Sequence, residues 1–113
     1  MTDYKIVFVD MDGTLLNEEK QIPKENIKAI KEIRKLGIPV VLASGKSTGS
    51  LSIFCKECSA GPYVVASNGA LVQNIETGEI VYSKEVSKKQ ASTIYEIGGG
   101  MTYINTSTLV LQI

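Results

Sequence analysis

Two aspartates separated by one residue follow a short apolar segment near the start of the chain. Residues 6–9 (Ile-Val-Phe-Val) lead into Asp10 and Asp12, and Gly13 then permits a tight turn. A short β-prone apolar run predicts a buried parallel strand with both faces covered, and residues two apart in an extended chain point the same way. We therefore expect both carboxylates at the carboxyl end of a strand, where open α/β sheets bind their ligands.

A close pair of carboxylates suits phosphoryl chemistry. Mutual repulsion raises the pKa of one carboxyl group, while a bound cation keeps the other ionised. One group can then act as a nucleophile and the other as a general acid and base. Oxygen ligands without histidine favour a hard cation, above all Mg2+. A plain strand-ending turn is the alternative interpretation, but the apolar strand before the pair and the Thr-Leu-Leu of residues 14–16 favour a site.

Three motifs, in order along the chain, resemble those of a known superfamily. Residues 10–16 (Asp-Met-Asp-Gly-Thr-Leu-Leu) resemble the first motif of the haloacid dehalogenase superfamily of phosphohydrolases. Residues 40–46 (Val-Val-Leu-Ala-Ser-Gly-Lys) and 67–70 (Ser-Asn-Gly-Ala) match motifs of its Cof-like sugar-phosphatase branch. The resemblance covers residues 4 to about 83 and implies an α/β fold. That fold is a partial Rossmann-like parallel sheet core with the beginning of an α/β cap.

The resemblance implies different catalytic roles for the two aspartates. Asp10 would attack phosphorus, form an aspartyl-phosphate and ligate Mg2+. Asp12 would protonate the leaving alcohol, then activate water, with its backbone carbonyl on the metal. Ser44 would donate a hydrogen bond to the phosphoryl group. These roles agree with the chemistry of phosphoryl transfer, which depends mostly on positioning and charge neutralisation.

Four further residues are implied to bind phosphate or substrate. Gly13, Gly45 and Lys46 would lie near the phosphoryl group, and Asn68 would line the entrance where core meets cap. Arginine is the commoner family residue at the position of Lys46. Lysine pairs with phosphate without the bidentate fork of arginine, so the substrate preference is expected to differ.

The family pattern also includes parts that this chain lacks. A catalytic lysine and a Gly-Asp-x-x-Asn-Asp metal-binding segment lie well beyond the cap in family members, but the 113 residues contain no such acidic segment. The lysines of residues 84–89 lack the matching context. We therefore expect Mg2+-dependent hydrolysis of a small, sugar-phosphate-like phosphomonoester that is weak or absent in this chain alone. Phosphomutase activity and a non-catalytic chain that binds phosphate or a partner protein remain alternatives.

Charge and hydropathy narrow the expected partners and location. Twelve basic and twelve acidic residues cancel, so no electrostatic footprint for nucleic acid or an anionic membrane is present. The start of the chain does not resemble a signal peptide, and no apolar run approaches membrane-spanning length. We expect a cytoplasmic protein whose partner is a small phosphorylated metabolite.

Strands and helices are predicted to alternate, which is typical of a parallel α/β sheet. Pro23 and Gly37 bound one helix, whose Ile27, Ile30, Ile33 and Leu36 are expected to face the sheet. Residues 1–83 are expected to form the amino-terminal part of the core, and residues 84–113 an incomplete cap. The remaining predicted elements are strands at 5–10, 38–43 and 63–66, a flexible excursion at 11–22, a helix at 47–58, a hairpin of 70–74 with 79–83, a helix from Ser87 to about 97, and strands at 101–105 and 108–113.

The last predicted strand would leave an apolar sheet edge without a partner. Such an edge invites pairing with another chain, so a homo-oligomer formed through it is a possible assembly. The two cysteines, Cys55 and Cys58, lie three residues apart on a predicted helix. Zinc would require two further ligands, and the sequence favours two reduced, partly buried thiols that pack as small apolar groups.

Overall fold

The computed structural model describes residues 3–98, 101–105 and 108–111, with side chains described for residues 3–97. The chain divides into two compact units, Met1–Ser83 and Lys84–Ile113. The elements of the first unit are strands β1 (Val7–Asp10), β2 (Val40–Ala43), β3 (Tyr63–Ala66), β4 (Leu71–Asn74) and β5 (Ile80–Ser83), helices α1 (Lys24–Lys35) and α2 (Thr48–Cys58), and a single 3-10 turn at Ser67–Gly69.

The five strands of the first unit form one sheet in the order β1-β2-β3-β4-β5. β1, β2 and β3 run parallel, whereas β4 and β5 form an antiparallel hairpin on the β3 side. The register pairs Asp10 with Ala43 and Ala43 with Val65. The carboxyl ends of the three parallel strands therefore lie side by side at one edge of the sheet.

Both helices of the first unit begin and end at the residues that the sequence suggested. Pro23 immediately precedes α1, and Gly37 (φ +80°) donates its N–H to the Arg34 carbonyl beyond the last turn. Ser47 caps α2 by accepting a hydrogen bond of 3.3 Å from the Ser50 N–H. The expectation for Leu36 was wrong: it is 71% exposed because it lies at the cap position, past the helical turns that face the core.

The segment between β1 and α1, predicted as a flexible excursion, contributes four residues to the hydrophobic core. Met11, Leu15, Leu16 and Ile22 are all buried and belong to the same apolar cluster as Val40 and Leu42 of β2 and the buried residues of α2. Backbone hydrogen bonds fold the segment back on the end of β1, for instance from the Leu16 N–H to the Met11 carbonyl at 2.9 Å. Apolar side chains at these positions therefore fix the turn that carries Asp12.

The prediction that β1 is covered on both faces was wrong. Val7 and Val9 are half-buried, but Phe8 is 58% exposed, and Ile6 just before the strand is also exposed. β1 is the end strand of the sheet order, and its ladder within the described residues is to β2 alone. Central β2, by contrast, buries Val40, Val41 and Leu42, as expected for a parallel strand with a neighbour on each side.

The second unit contains one helix and a two-stranded antiparallel sheet. Its elements are α3 (Lys88–Gly98), β6 (Met101–Asn105) and β7 (Thr108–Leu111). Ser87 and Gln90 form a reciprocal capping box at the start of α3, with bonds of 3.1 and 3.0 Å. The last two residues of the predicted strand at 108–113 lie outside the described part of the chain. None of the helices described has the length and apolar character needed to span a membrane.

Candidate functional site

Asp10 and Asp12 lie on the solvent side of the chain at the carboxyl end of β1. Asp10 is the last residue of the strand, and the fully buried Met11 separates it from Asp12. Both aspartates are exposed, which agrees with the alternation expected of extended backbone. The Leu15 N–H donates to the Asp10 carbonyl at 3.2 Å, so the following turn is tied to the strand end. The backbone thus presents two carboxylates to solvent next to each other in the chain.

Gly13 completes the tight turn that follows the aspartates. Its φ of +76° lies in the left-handed region, which favours glycine because a Cβ atom is strained there. A Cβ built at this position would meet no heavy atom within 4 Å. The position is therefore constrained by backbone conformation and not by crowding.

Ser44 follows β2 directly and lies at the sheet edge next to the end of β1. Its own N–H donates to the Val65 carbonyl of β3 at 2.9 Å, and its carbonyl accepts from the Asn68 N–H at 3.0 Å. The Ser44 hydroxyl oxygen accepts a hydrogen bond of 3.2 Å from the Lys46 N–H. These contacts hold the half-buried serine between the loops that follow β2 and β3.

The loops after β2 and β3 meet at Gly45 and Asn68. A Cβ atom built on Gly45 would lie only 2.9 Å from Asn68 Oδ1 and 3.2 Å from Nδ2, so a larger residue at this position would have to displace the Asn68 amide group. Asn68 itself has φ +56°, a left-handed conformation that asparagine tolerates. The Ser67 N–H donates to the Lys46 carbonyl at 3.0 Å and adds a second tie between the loops.

Two lysines hold the carboxylate of Asp12 from different parts of the chain. Lys20 Nζ lies 3.0 Å from Asp12 Oδ1, and Lys46 Nζ lies 3.6 Å from Asp12 Oδ2. The hydrogen bond and charge of Lys20, with a smaller contribution from Lys46, hold the pKa of the Asp12 carboxyl below its usual value. Asp12 is therefore ionised at neutral pH and lies between two positive charges.

The donor set of the site suits a hard cation in part. Asp10 and Asp12 supply carboxylate oxygens, and Mg2+ in proteins is held by one or two carboxylates together with waters and substrate phosphate. Within the described residues no group of three or more histidine, cysteine, aspartate or glutamate side chains could hold a metal ion. The two aspartates can therefore contribute only a few oxygen ligands, and a magnesium ion bound here would keep much of its hydration.

The two cysteines lie in the core away from this site. Both thiols are free and buried on α2. Burial raises the pKa of Cys55 to about 12, with the neighbouring Cys58 adding to the increase, and burial also raises the pKa of Cys58. Thiols that stay protonated at neutral pH are poor nucleophiles and poor metal ligands, which agrees with the structural role predicted for them.

The structure connects most of the residues singled out from the sequence. Lys46 contacts Asp12, Ser44 is bonded to both Lys46 and Asn68, and Gly45 lies against Asn68. Asp10 joins this set through the strand register and Gly13 through the turn. Nothing in the sequence indicated that Lys20 contacts the site, because a lysine eight residues after an aspartate matches no known motif. The turn-forming Asn17 before it was the one available cue.

The chain resembles proteins of one family along most of its length. Residues 7–108 match the family model of the haloacid dehalogenase-like hydrolases. The chain is 34% identical over 97 residues to the putative phosphatase YxeH of Bacillus subtilis, a match that covers 83% of this chain and 36% of that protein. It is 36% identical over 67 residues to a glucosyl-3-phosphoglycerate/mannosyl-3-phosphoglycerate phosphatase of Persephonella marina, covering 59% of this chain and 25% of the relative.

Solved structures give the same result for the fold. A haloacid dehalogenase-like hydrolase from Bacteroides thetaiotaomicron superposes with a TM-score of 0.76 at 29% identity, covering 89% of this chain and 41% of that one. A putative HAD/COF-like hydrolase from Plasmodium vivax superposes with a TM-score of 0.70 at 29% identity, covering 84% and 36%. The chain spans about a third of the length of the curated relatives it matches. It belongs to the haloacid dehalogenase-like hydrolases.

Proposed function

We propose that the chain carries the phosphoryl-transfer site of a phosphatase that hydrolyses a small, sugar-phosphate-like monoester with Mg2+, through an aspartyl-phosphate. One observation carries the proposal. At the end of β1, Asp10 and Asp12 are exposed on either side of buried Met11, and the neighbouring strand β2 ends beside them just before Ser44. The named activity of the Persephonella marina relative, a phosphatase of glycosyl phosphoglycerates, supports the substrate class.

In the first step of the proposed reaction, a carboxylate oxygen of Asp10 attacks phosphorus. The bond between phosphorus and the ester oxygen breaks, and Asp12, which is ionised in the free chain and must first take up a proton from solvent, gives that proton to the departing alcohol. Asp10 then carries the phosphoryl group as a mixed anhydride. Ser44, through its hydroxyl, and the N–H groups around Gly45 are suited to bind the phosphoryl oxygens, since the Ser44 side chain lies at the same sheet edge as Asp10.

In the second step, Asp12 acts as a base toward water. It takes a proton from the water molecule whose oxygen attacks phosphorus, and the bond to Asp10 breaks, which releases inorganic phosphate and restores the Asp10 carboxylate. The pairing of Asp12 with Lys20 and Lys46 supports this role, because it favours the ionised carboxylate in the free chain. Mg2+ held by Asp10 and Asp12 would neutralise charge on the phosphoryl group.

The remaining assignments belong to the same proposal. Residues 1–83 would form the first part of the core and residues 84–113 the start of the cap, and Asn68, which contacts Gly45, would line the entrance to the site. Lys46 and Gly13 would contact the phosphoryl group. The partner would be a small phosphorylated metabolite in the cytoplasm rather than nucleic acid or a membrane, and the last strand offers an edge for a homo-oligomer.

A non-catalytic chain that binds phosphate is the second candidate. The observation that favours it is that the described residues hold no cluster of three potential metal ligands, so the protein would hold Mg2+ weakly. Because two carboxylates remain and the chain spans about a third of its relatives' length, we expect turnover by this chain alone to be slow.

The two candidates are separated by a phosphatase assay at high protein concentration. p-Nitrophenyl phosphate is incubated with the chain and Mg2+, with Asp10→Asn as the matched variant and excess EDTA as a second control. The enzyme proposal predicts slow release of nitrophenol that requires both Asp10 and Mg2+. Equal rates for the unaltered chain and Asp10→Asn would overturn it, and phosphate binding without turnover would support the non-catalytic candidate.

A further inference from the structure

The turn at residues 17–21 is built so that Lys20 reaches back to the site. The Asn17 side chain accepts hydrogen bonds from the Glu19 and Gln21 N–H groups, both at 3.0 Å. The Asn17 N–H donates to the Gln21 carbonyl at 2.9 Å, and the Lys20 N–H donates to the Asn17 carbonyl at 3.0 Å. Lys20 takes a left-handed conformation, with φ +61°. The turn is therefore closed by its own bonds, and its lysine points toward the end of β1.

Lys20 and Lys46 bracket one carboxylate. Lys20 contacts Oδ1 of Asp12 and Lys46 contacts Oδ2, at 3.0 and 3.6 Å. The two lysines come from different loops, one after β1 and one after β2. An anion that approaches Asp12 from solvent would thus meet an ammonium group on either side of the carboxylate.

The balance of charge makes Lys20 important for any anionic ligand. Asp10 and Asp12 contribute two negative charges, which a phosphate dianion would meet as repulsion. Within the described part of the chain, Lys20 and Lys46 are the two residues that form ion pairs with Asp12. Loss of Lys20 would leave two carboxylates opposed by a single ammonium group, and the electrostatic attraction for a dianion would fall accordingly.

The bond between Lys20 and Asp12 is suited to exchange. The Lys20 side chain is 67% exposed and that of Asp12 50% exposed, and ion pairs this open to solvent contribute little to stability. A phosphoryl oxygen offers an ammonium group a strong charge-assisted hydrogen bond. The lysine side chain is a flexible tether for a point charge, so it can change partners while the turn remains folded.

We propose that Lys20 is a phosphate-binding residue of this site, which moves from Asp12 to an incoming phosphoryl oxygen and opposes Lys46 across the bound anion. This deepens the proposed function and rests on it, since it assigns a second cation to the same phosphoryl site. Lys20 then selects for substrates whose phosphoryl group arrives as a dianion, and its release leaves one Asp12 oxygen open toward the leaving group.

The test measures binding of inorganic phosphate in the presence of Mg2+ by amide chemical-shift titration of the whole chain. Lys20→Met removes the charge, Lys20→Arg retains it, and Lys24→Met removes a nearby exposed lysine that forms no ion pair within the described residues. We expect shifts at Ser44 and Lys46, affinity about threefold to tenfold weaker for Lys20→Met, and near-normal affinity for Lys20→Arg and Lys24→Met. The weakening should shrink as NaCl is raised, because salt screens exposed charges.

Three other results of the phosphate titration would contradict the proposal. Equal affinity of Lys20→Met and the unaltered chain would overturn the role of Lys20 and leave the proposed function intact. Equal weakening by Lys24→Met would also overturn it, since general surface charge would then account for the effect. If the unaltered chain bound no phosphate at all, the proposed function and the role of Lys20 would both be overturned.

Discussion

The pH dependence of folding stability offers a test of how Cys55 is packed in the first unit. The thiol is 2% exposed, and burial raises its pKa from 9.0 to about 12, with Cys58 adding to the increase. A thiol with a higher pKa in the folded state binds its proton more tightly there than in the unfolded chain. Its contribution to stability is complete below the unfolded pKa and is lost as the pH rises toward the folded pKa.

The size of the loss follows from the difference between the two pKa values. Between them, each pH unit removes about 1.4 kcal/mol from the free energy of unfolding. By a pH of about 10.5 the loss reaches about 2 kcal/mol, which is a large share of the stability of a typical domain. Cys55→Val has no proton to release and keeps an apolar side chain in place, so it should lack this loss.

The assay is urea unfolding followed by far-ultraviolet circular dichroism, under reducing conditions and over a series of pH values from neutral to alkaline. Tyrosine and lysine titrations are common to the unaltered chain and Cys55→Val, so the difference between the two unfolding free energies reports the Cys55 thiol together with its interaction with Cys58. We expect a constant difference at neutral pH and a steady change in favour of the variant above the unfolded pKa. A difference that stayed constant throughout would refute the burial argument.

Three further changes test other parts of the structure. Gly45→Ala would place a methyl group 2.9 Å from Asn68 Oδ1. Because the side-chain amide can rotate away, we expect less than about 1 kcal/mol of destabilisation, together with a shifted Asn68 NMR resonance and weaker phosphate binding. An unchanged Asn68 resonance would contradict the contact. The ion pair of Asp12 with Lys20 should be present at neutral pH and disappear as the pH falls through the lowered Asp12 pKa. Carboxyl 13C NMR measures that pKa, and we expect Lys20→Met to raise it toward 3.8. An unchanged Asp12 pKa in the variant would contradict the pairing. Leu42→Ala, at a fully buried position of β2, should cost about 2–5 kcal/mol in urea unfolding, and a loss near zero would contradict its place in the core.

Local sequence signals predicted the regular elements of the first unit well. Pro23 and Gly37 bound α1, the helix predicted at 47–58 is found as α2, and β3 occupies the four predicted residues. Proline, glycine and capping residues act through the backbone of their immediate neighbours, so local sequence is enough to predict such boundaries. The burial of β1 was not predictable in this way. An apolar run has the same sequence in a central strand and in an end strand, and the position in the sheet depends on distant parts of the chain.

The candidate site was predictable to the extent that it follows from strand ends. Asp10 and Asp12 were expected at the carboxyl end of a strand because open α/β sheets bind their ligands there, whereas the role of Ser44 was implied by the family resemblance. The contact between Gly45 and Asn68 and the ion pair of Lys20 depend on three left-handed or crowded loop positions. Such geometry is set by tertiary contacts among loops, so neither spacing nor composition could supply it.

The most direct test of the central claim is to locate a bound divalent cation by paramagnetic NMR. Mn2+ replaces Mg2+ at oxygen sites and broadens the amide resonances of nearby residues. The account predicts broadening at residues 10–13 and 44–46 that is lost in Asp10→Asn, while the resonances of the hairpin turn at 76–78 stay sharp. Broadening centred on that turn or on Glu18 and Glu19, unaffected by Asp10→Asn, would contradict the claim that the strand-end aspartates form a metal and phosphate site.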